Sequence, residues 1–181
     1  MKKIAVLLAD GFEEVEAVTP IDFLRRAGID VVTAGVTGKT VTGAHGVKIS
    51  ADAVVGGLPA GLDGVVLPGG MPGAQNIADS AEAVDLIRKI LAAGKLVGAI
   101  CAAPAVVLGA HGLLQGRRFT CYPGFERDVR GASFTPDRVV ADGNLITSRG
   151  PGTAAEFALA LIEKLAGREE AEKIRKGTLQ K

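Results

Sequence analysis

Cysteine and histidine are scarce in this chain, with two of each in 181 residues. Two cysteines cannot supply a disulfide framework, so stability has to come from a packed core. Two histidines among scattered acids argue against a dedicated zinc site, and no metal or other cofactor is expected. Neither histidine adjoins a cysteine, which leaves a conventional Cys-His hydrolase hard to build. An excess of either charge is also missing. The chain has 21 Lys+Arg against 20 Asp+Glu, for a net +1. That balance gives no electrostatic footprint for nucleic acid or acidic membrane. No apolar stretch is long enough to span a bilayer. Met1–Ala9 loosely imitates a secretion signal, but its apolar core is short and Asp10 ends it. The expected setting is soluble, reducing and cytoplasmic. Repeats, linkers and low-complexity segments are absent too, so residues 1–181 read as one domain.

What is present is 48% hydrophobic residues and 25 glycines, enough for a sizeable core with many tight turns. The apolar runs Ile4–Ala9, Ile29–Ala34, Gly64–Leu67 and Leu96–Ile100 read as buried strands. Glu13–Gly28 reads as a helix with acids at its start, Arg25 and Arg26 at its end and Gly28 as its stop. Ser80–Ala93 reads as a second helix, capped by Ser80 and stopped at Gly94. Val41–Ile49 suggests a small hairpin. Ala105–Ala110 begins a helix, and short strands are expected at Arg118–Tyr122, Arg138–Ala141 and Leu145–Thr147, with Asp142-Gly143 as a hairpin turn. Thr153–Leu165 reads as a helix with Thr153 and Glu156 as a capping box. Arg168–Lys176 reads as a charged outer helix. Alternating strands and helices predict an α/β fold with a mostly parallel sheet and helices on both faces. Ligand sites in such folds lie beyond the carboxyl ends of the strands.

Asp10-Gly11, Pro68-Gly69-Gly70 and Cys101 all fall at such ends. Cys101 sits where a strand turns into a helix, the position of a nucleophile elbow. A helix start can lower a thiol pKa, so a reactive thiolate is one reading and a small buried core cysteine is the other. Glu16 shares a helical face with Phe12, Pro20, Phe23, Leu24 and Ala27. A carboxyl on an apolar stripe has a raised pKa and can carry protons. The alternative is an acid that complements the helix dipole, a role that suits Glu13 and Glu14 better. Gly69 and Gly70 permit close backbone approach, and their N–H groups with that of Ala102 could hold an oxyanion, although Pro-Gly-Gly is equally a plain turn. One of Cys121 and Tyr122 could face the site by strand alternation. Gly150-Pro151-Gly152-Thr153 is either an anion-binding helix start or a rigid corner. His111 reads as a helix C-cap and His45 as an exposed loop residue.

Four stretches carry a resemblance to a known family. They are Ala9-Asp10-Gly11-Phe12-Glu13-Glu14-Val15-Glu16, Val66-Leu67-Pro68-Gly69-Gly70, Ala99-Ile100-Cys101-Ala102-Ala103-Pro104 and Ser148-Arg149-Gly150-Pro151-Gly152-Thr153. With them in this order, the chain resembles the ThiJ/PfpI superfamily, in the branch of the Parkinson-associated protein DJ-one and its bacterial relatives. The resemblance implies a flavodoxin-like three-layer sandwich and a homodimer. It places the family's reactive cysteine at Cys101, its protonated glutamate at Glu16 and its oxyanion-binding N–H groups at Gly70 and Ala102. Gly69, Tyr122, Pro151 and His45 are further pocket residues. The implied activities are cofactor-independent glyoxalase or deglycase chemistry on small reactive aldehydes or glycated groups, with oxidation sensing and chaperone-like protection as alternatives. Two departures are visible. Tyr122, in Thr120-Cys121-Tyr122-Pro123, stands where the DJ-one protein has a histidine, and tyrosine is a poor base near neutral pH. Ala102 stands where protease-like members have a histidine, so amide hydrolysis ranks last. His45 falls where that branch has an arginine approaching the pocket across the dimer.

Overall fold

The computed structural model describes residues 1–181. Its centre is a sheet of seven strands: β1 (Lys3–Leu8), β2 (Asp30–Gly35), β5 (Ala53–Val54), β6 (Gly64–Leu67), β7 (Leu96–Ile100), β10 (Val139–Asp142) and β11 (Leu145–Ser148). Their order is β10-β11-β7-β6-β1-β2-β5, and all pairs are parallel except β10 with β11. The four apolar runs form the central strands because a strand covered on both faces must be apolar on both sides. β6 and β7 are buried at every position.

The chain moves from β1 outward to β2 in one direction and from β6 to β7 in the other. Right-handed crossovers then put α1 (Glu14–Arg26) and α3 (Ala81–Ala92) on opposite faces. α1 packs on α4 (Ala154–Ala166), which also meets α5 (Arg168–Gly177), β7 and β11. Gly98 lets α4 approach β7: a Cβ there would lie 2.8 Å from Leu161 Cδ2 and 3.0 Å from Phe157 Cζ. α5 is charged, as its sequence suggests, yet buries Ala171 and Ile174 against the rest of the fold. The reversal of strand order falls between β1 and β6, the place where such sheets open a crevice at the carboxyl ends of the strands. The mostly parallel sheet with helices on both faces is the predicted flavodoxin-like arrangement. No helix is long and apolar enough to cross a membrane.

Local departures from the sequence reading have physical causes. A helix the sequence reading missed, α2 (Gly73–Asp79), follows the Pro-Gly-Gly turn. Its length of 7 residues is too short for a clear periodic signal. The Val41–Ile49 excursion is a hairpin of β3 (Thr40–Thr42) and β4 (Lys48–Ser50). The strand expected at Arg118–Tyr122 is only β8 (Arg118–Phe119), paired with β9 (Ser133–Phe134). The helix expected at Ala105–Ala110 is a π-helix over Pro104–Gly109, in which Ala110 N–H reaches Ala105 O at 3.0 Å. Such wide turns recur at functional sites. Ser80 caps α3 through the Ala83 N–H at 3.2 Å, as expected. The Thr153–Glu156 capping box does not form. Thr153 Oγ1 instead accepts from Gly150 N–H at 3.1 Å, and Glu156 pairs with Arg138 at 2.8 Å. Two stronger partners outcompete the box. His111 is not a C-cap, because its Nε2 lies 3.0 Å from Ala78 O of α2.

Candidate active site

Cys101 is the first residue after β7 and has φ +64°, a left-handed conformation that a side chain rarely adopts. Its N–H donates to Ser148 O at 3.0 Å and its O accepts from Tyr122 N–H at 2.9 Å. These two bonds hold the strained turn in place, a pattern found where the strain serves a site. The elbow read from the sequence is present. The sulfur lies at the floor of a cavity of about 270 Å³ lined by Glu13, Gly70, Met71, Ala102, Tyr122, Phe125 and Pro151.

Glu16 enters from the first turn of α1 and is fully buried. Its Oε2 accepts from Gly69 N–H at 2.9 Å, and its Oε1 is buried with no partner. Burial pushes the Glu16 carboxyl up to about 7, against the neighbouring Cys101 thiol and the Gly69 N–H, which favour the charged form. The direction matches the one expected from its apolar face.

The lowered thiol expected for Cys101 is not. Burial, then the Glu16 charge and hydrogen bond, push the Cys101 thiol up to about 12, while N–H groups of Gly70 and Ala102 pull it down. The helix start that would have lowered it loses to desolvation and a neighbouring carboxylate. The two groups share one site and therefore titrate together. Above about pH 7 the carboxyl loses its proton first, and the thiol keeps its own.

Glycine is required at the floor. A Cβ on Gly69 would lie 2.6 Å from Cys101 Cβ and 2.7 Å from Glu16 Oε2. Gly70 has φ +86°, and a Cβ there would collide with the backbone of Glu13 and Gly11. Gly70→Ala is expected to destabilise the fold by about 2–4 kcal/mol, from left-handed strain plus overpacking, measured as a lower urea midpoint.

Tyr122 is 46% exposed and lines the cavity, while Cys121 is buried. The Tyr122 ring packs edge-on to Phe125, with centroids 6.3 Å apart, and lies against Gly150. The site-facing member of that pair is therefore Tyr122. Burial pushes the Cys121 thiol up to about 12. Both cysteines are free thiols. Pro151 lines the cavity, but the Gly150–Thr153 segment is a corner closed on itself by Thr153 Oγ1, which contacts Gly150 N at 3.1 Å and Ser148 Oγ at 2.7 Å. His45 is exposed and does not line the cavity. Its Nδ1 lies 2.8 Å from Glu14 Oε2 instead. The sequence reading missed Glu13, Met71 and Phe125 as cavity residues. Glu13 resembled a helix-dipole acid, Met71 lies in a turn, and Phe125 begins a single 3-10 turn (Phe125–Asp128), too short to give a periodic signal.

The fold is an α/β sandwich with a buried cysteine on a strained elbow, beside a raised carboxyl and at the edge of a small cavity. The model of the DJ-1/PfpI family matches residues 2–164, and the chain belongs to that family. It is 44% identical to protein dj-1beta of Drosophila melanogaster, covering 98% of this chain and 97% of that one. It is also 44% identical to DJ-1 homolog B of Arabidopsis thaliana, but spans only 41% of that relative's length. A Pyrococcus abyssi protein named a deglycase is 35% identical over 83% of this chain and 91% of its own. Among solved structures, oxidized Toxoplasma gondii DJ-1 superposes with a TM-score of 0.96 at 42% identity, covering 99% of this chain and 98% of that one.

Proposed function

We propose that this protein is a cofactor-independent glyoxalase or deglycase-type enzyme acting on small reactive aldehydes such as methylglyoxal and glyoxal. One observation carries the reading: Cys101 opens onto a cavity lined by Gly70 and Ala102, with the buried carboxyl of Glu16 beneath it on the Gly69 N–H. The deglycase name of the Pyrococcus abyssi relative supports it.

In this mechanism Glu16 takes the thiol proton and the thiolate adds to the aldehyde carbon, giving a hemithioacetal. N–H groups of Gly70 and Ala102 stabilise the oxyanion. Glu16 then moves the C1 proton of the methylglyoxal adduct to C2, which leaves a thioester of lactate. Water cleaves the thioester, releases lactate and restores the thiol. The net change is addition of one water, with no oxidant or reductant. Tyr122 forms a wall and leaves proton transfer to Glu16. The reaction needs no metal or organic cofactor.

The test is lactate formation from methylglyoxal by purified protein without glutathione or added metal. Turnover supports the reading, and its absence with both methylglyoxal and glyoxal overturns it. A cytoplasmic, homodimeric protein is part of the same reading. Val15, Val18 and Val47 are each about half exposed, an apolar surface that a second copy could cover. Size-exclusion chromatography with light scattering is expected to give twice the 18.5 kDa chain mass.

A second reading is a redox-sensing protective protein. It is favoured by an accessible edge on Cys101, 9% exposed, against none on Cys121, and by the oxidized state of the Toxoplasma gondii relative. Mild peroxide should then oxidise Cys101 before Cys121, read by peptide mass spectrometry. Equal oxidation of both would exclude it.

A further inference from the structure

The sequence gives no reason to expect a metal, because its possible ligands are scattered. The fold gathers three of them. Glu13 and Glu14 lie where the β1–α1 loop enters α1, and His45 lies in the β3–β4 hairpin, 31 residues beyond Glu14. We propose that Glu13, Glu14 and His45 form a binding site for a divalent transition-metal ion of the zinc or nickel type, at the lip of the Cys101 cavity.

Each residue offers one donor atom, and the three atoms lie within 4.8 Å of one another. His45 Nδ1 is 2.8 Å from Glu14 Oε2 and 3.8 Å from Glu13 Oε1. Donors bound to one zinc ion at about 2.0–2.2 Å stand roughly 3–3.5 Å apart. The two distances from His45 bracket that range, and an ion would draw the two carboxylates toward it from within 4.8 Å of one another. One nitrogen and two carboxylate oxygens suit borderline cations.

The ligands are held before any ion arrives. Glu14 Oε1 accepts the His45 backbone N–H at 2.7 Å, which fixes the carboxylate and leaves Oε2 for coordination. Gly43 presses against the same side chain, and a Cβ there would lie 2.6 Å from Glu14 Cδ. The hairpin is tied to the β1–α1 loop by Ala44 N–H to Phe12 O, Gly11 N–H to Thr42 O and Thr42 N–H to Asp10 Oδ1, each 2.8 Å. Bonds of this kind orient metal ligands.

Charge supplies the second argument. The Glu13 and Glu14 side chains are only 18% and 13% exposed, and they face one imidazole. An ion pair of His45 with Glu14 alone accounts for one carboxylate. It leaves Glu13 Oε1 at 3.8 Å, beyond hydrogen-bond length. A dication satisfies both carboxylates at once. Glu13 also lines the Cys101 cavity, so an ion here would adjoin the substrate space without using the thiol.

The test is isothermal titration of the purified protein with zinc ions, in the Cys101→Ser background so that the thiol cannot compete. One ion per chain is expected. Affinity should fall at least tenfold in His45→Ala and again in Glu13→Gln, with thermal melting showing that both variants are folded. His45 is exposed, so its removal should not unfold the chain. Cobalt absorption should show nitrogen and oxygen ligation with no thiolate charge-transfer band. No zinc binding, unchanged affinity in His45→Ala, or binding that disappears with Cys101 would overturn the proposal. None of these readouts depends on aldehyde turnover, so this site and the proposed reaction stand or fall separately.

Discussion

Cys101→Ser is expected to abolish lactate formation from methylglyoxal while leaving the fold intact. Serine nearly matches cysteine in size, and the elbow is held by backbone bonds to Ser148 and Tyr122 that the substitution does not touch. The chemistry is what fails. The thiol, although pushed up to about 12, is still acidic enough in the proposed reaction to give its proton to Glu16 as sulfur attacks the aldehyde. A hydroxyl is a far weaker acid than any thiol, so the same transfer would leave Glu16 short of driving force. Turnover should fall to background in a coupled lactate assay, with a circular-dichroism melt close to that of the wild type. Retained turnover would remove Cys101 from the mechanism.

Glu16→Gln should cut turnover about a hundredfold or more, since it removes the buried carboxyl that the proposed reaction uses to move protons. The same change should stabilise the protein at alkaline pH. Glu16 holds its proton more tightly when folded, with its value raised from 4.5 to about 7. Its contribution to stability is therefore fully present below about pH 4.5 and is lost as pH rises through about 7. Beyond that the buried charge destabilises the fold by about 3 kcal/mol, at about 1.4 kcal/mol per pH unit. Glutamine keeps an oxygen for Gly69 N–H and carries no charge, so urea denaturation at pH 8 should give a higher midpoint than the wild type. A lower midpoint at pH 8 would show that the Glu16 charge is not the dominant cost there.

The pH profile follows from the same pair. Below about pH 7 both groups are protonated and the pair is inert. Loss of one proton gives the reactive form, so kcat/KM should rise through about pH 7. The second proton leaves only near 12, so a plateau should follow. In Glu16→Gln the rise near 7 should disappear.

Much of this was legible in the sequence. The apolar runs that became β1, β2, β6 and β7 carry a one-dimensional signal, because a strand buried on both faces must be apolar throughout. Glu16 was legible because helical periodicity puts it on the same face as Phe23 and Leu24. Cys101 was legible as a strand-to-helix junction. Less was readable where one short segment had to be judged alone. α2 was hidden by its length, and Thr153 gave up its box for partners that no pattern at spacing three reveals.

The sequence by itself determined the α/β class, the order of the strands along the chain and the two residues at the centre of the site. Periodicity and composition are properties of neighbours along the chain, and those features depend on neighbours. Only the tertiary structure decided the state of those residues. The Cys101 thiol is raised because the fold buries it beside Glu16, a desolvation that no local motif encodes. Tyr122 and Phe125 became a cavity wall because the segment after β8 folds over the elbow. The meeting of Glu13, Glu14 and His45 likewise needed the hairpin to close on α1. Through-space distance sets charge, burial and ligand geometry, and distance is what a linear sequence leaves unspecified.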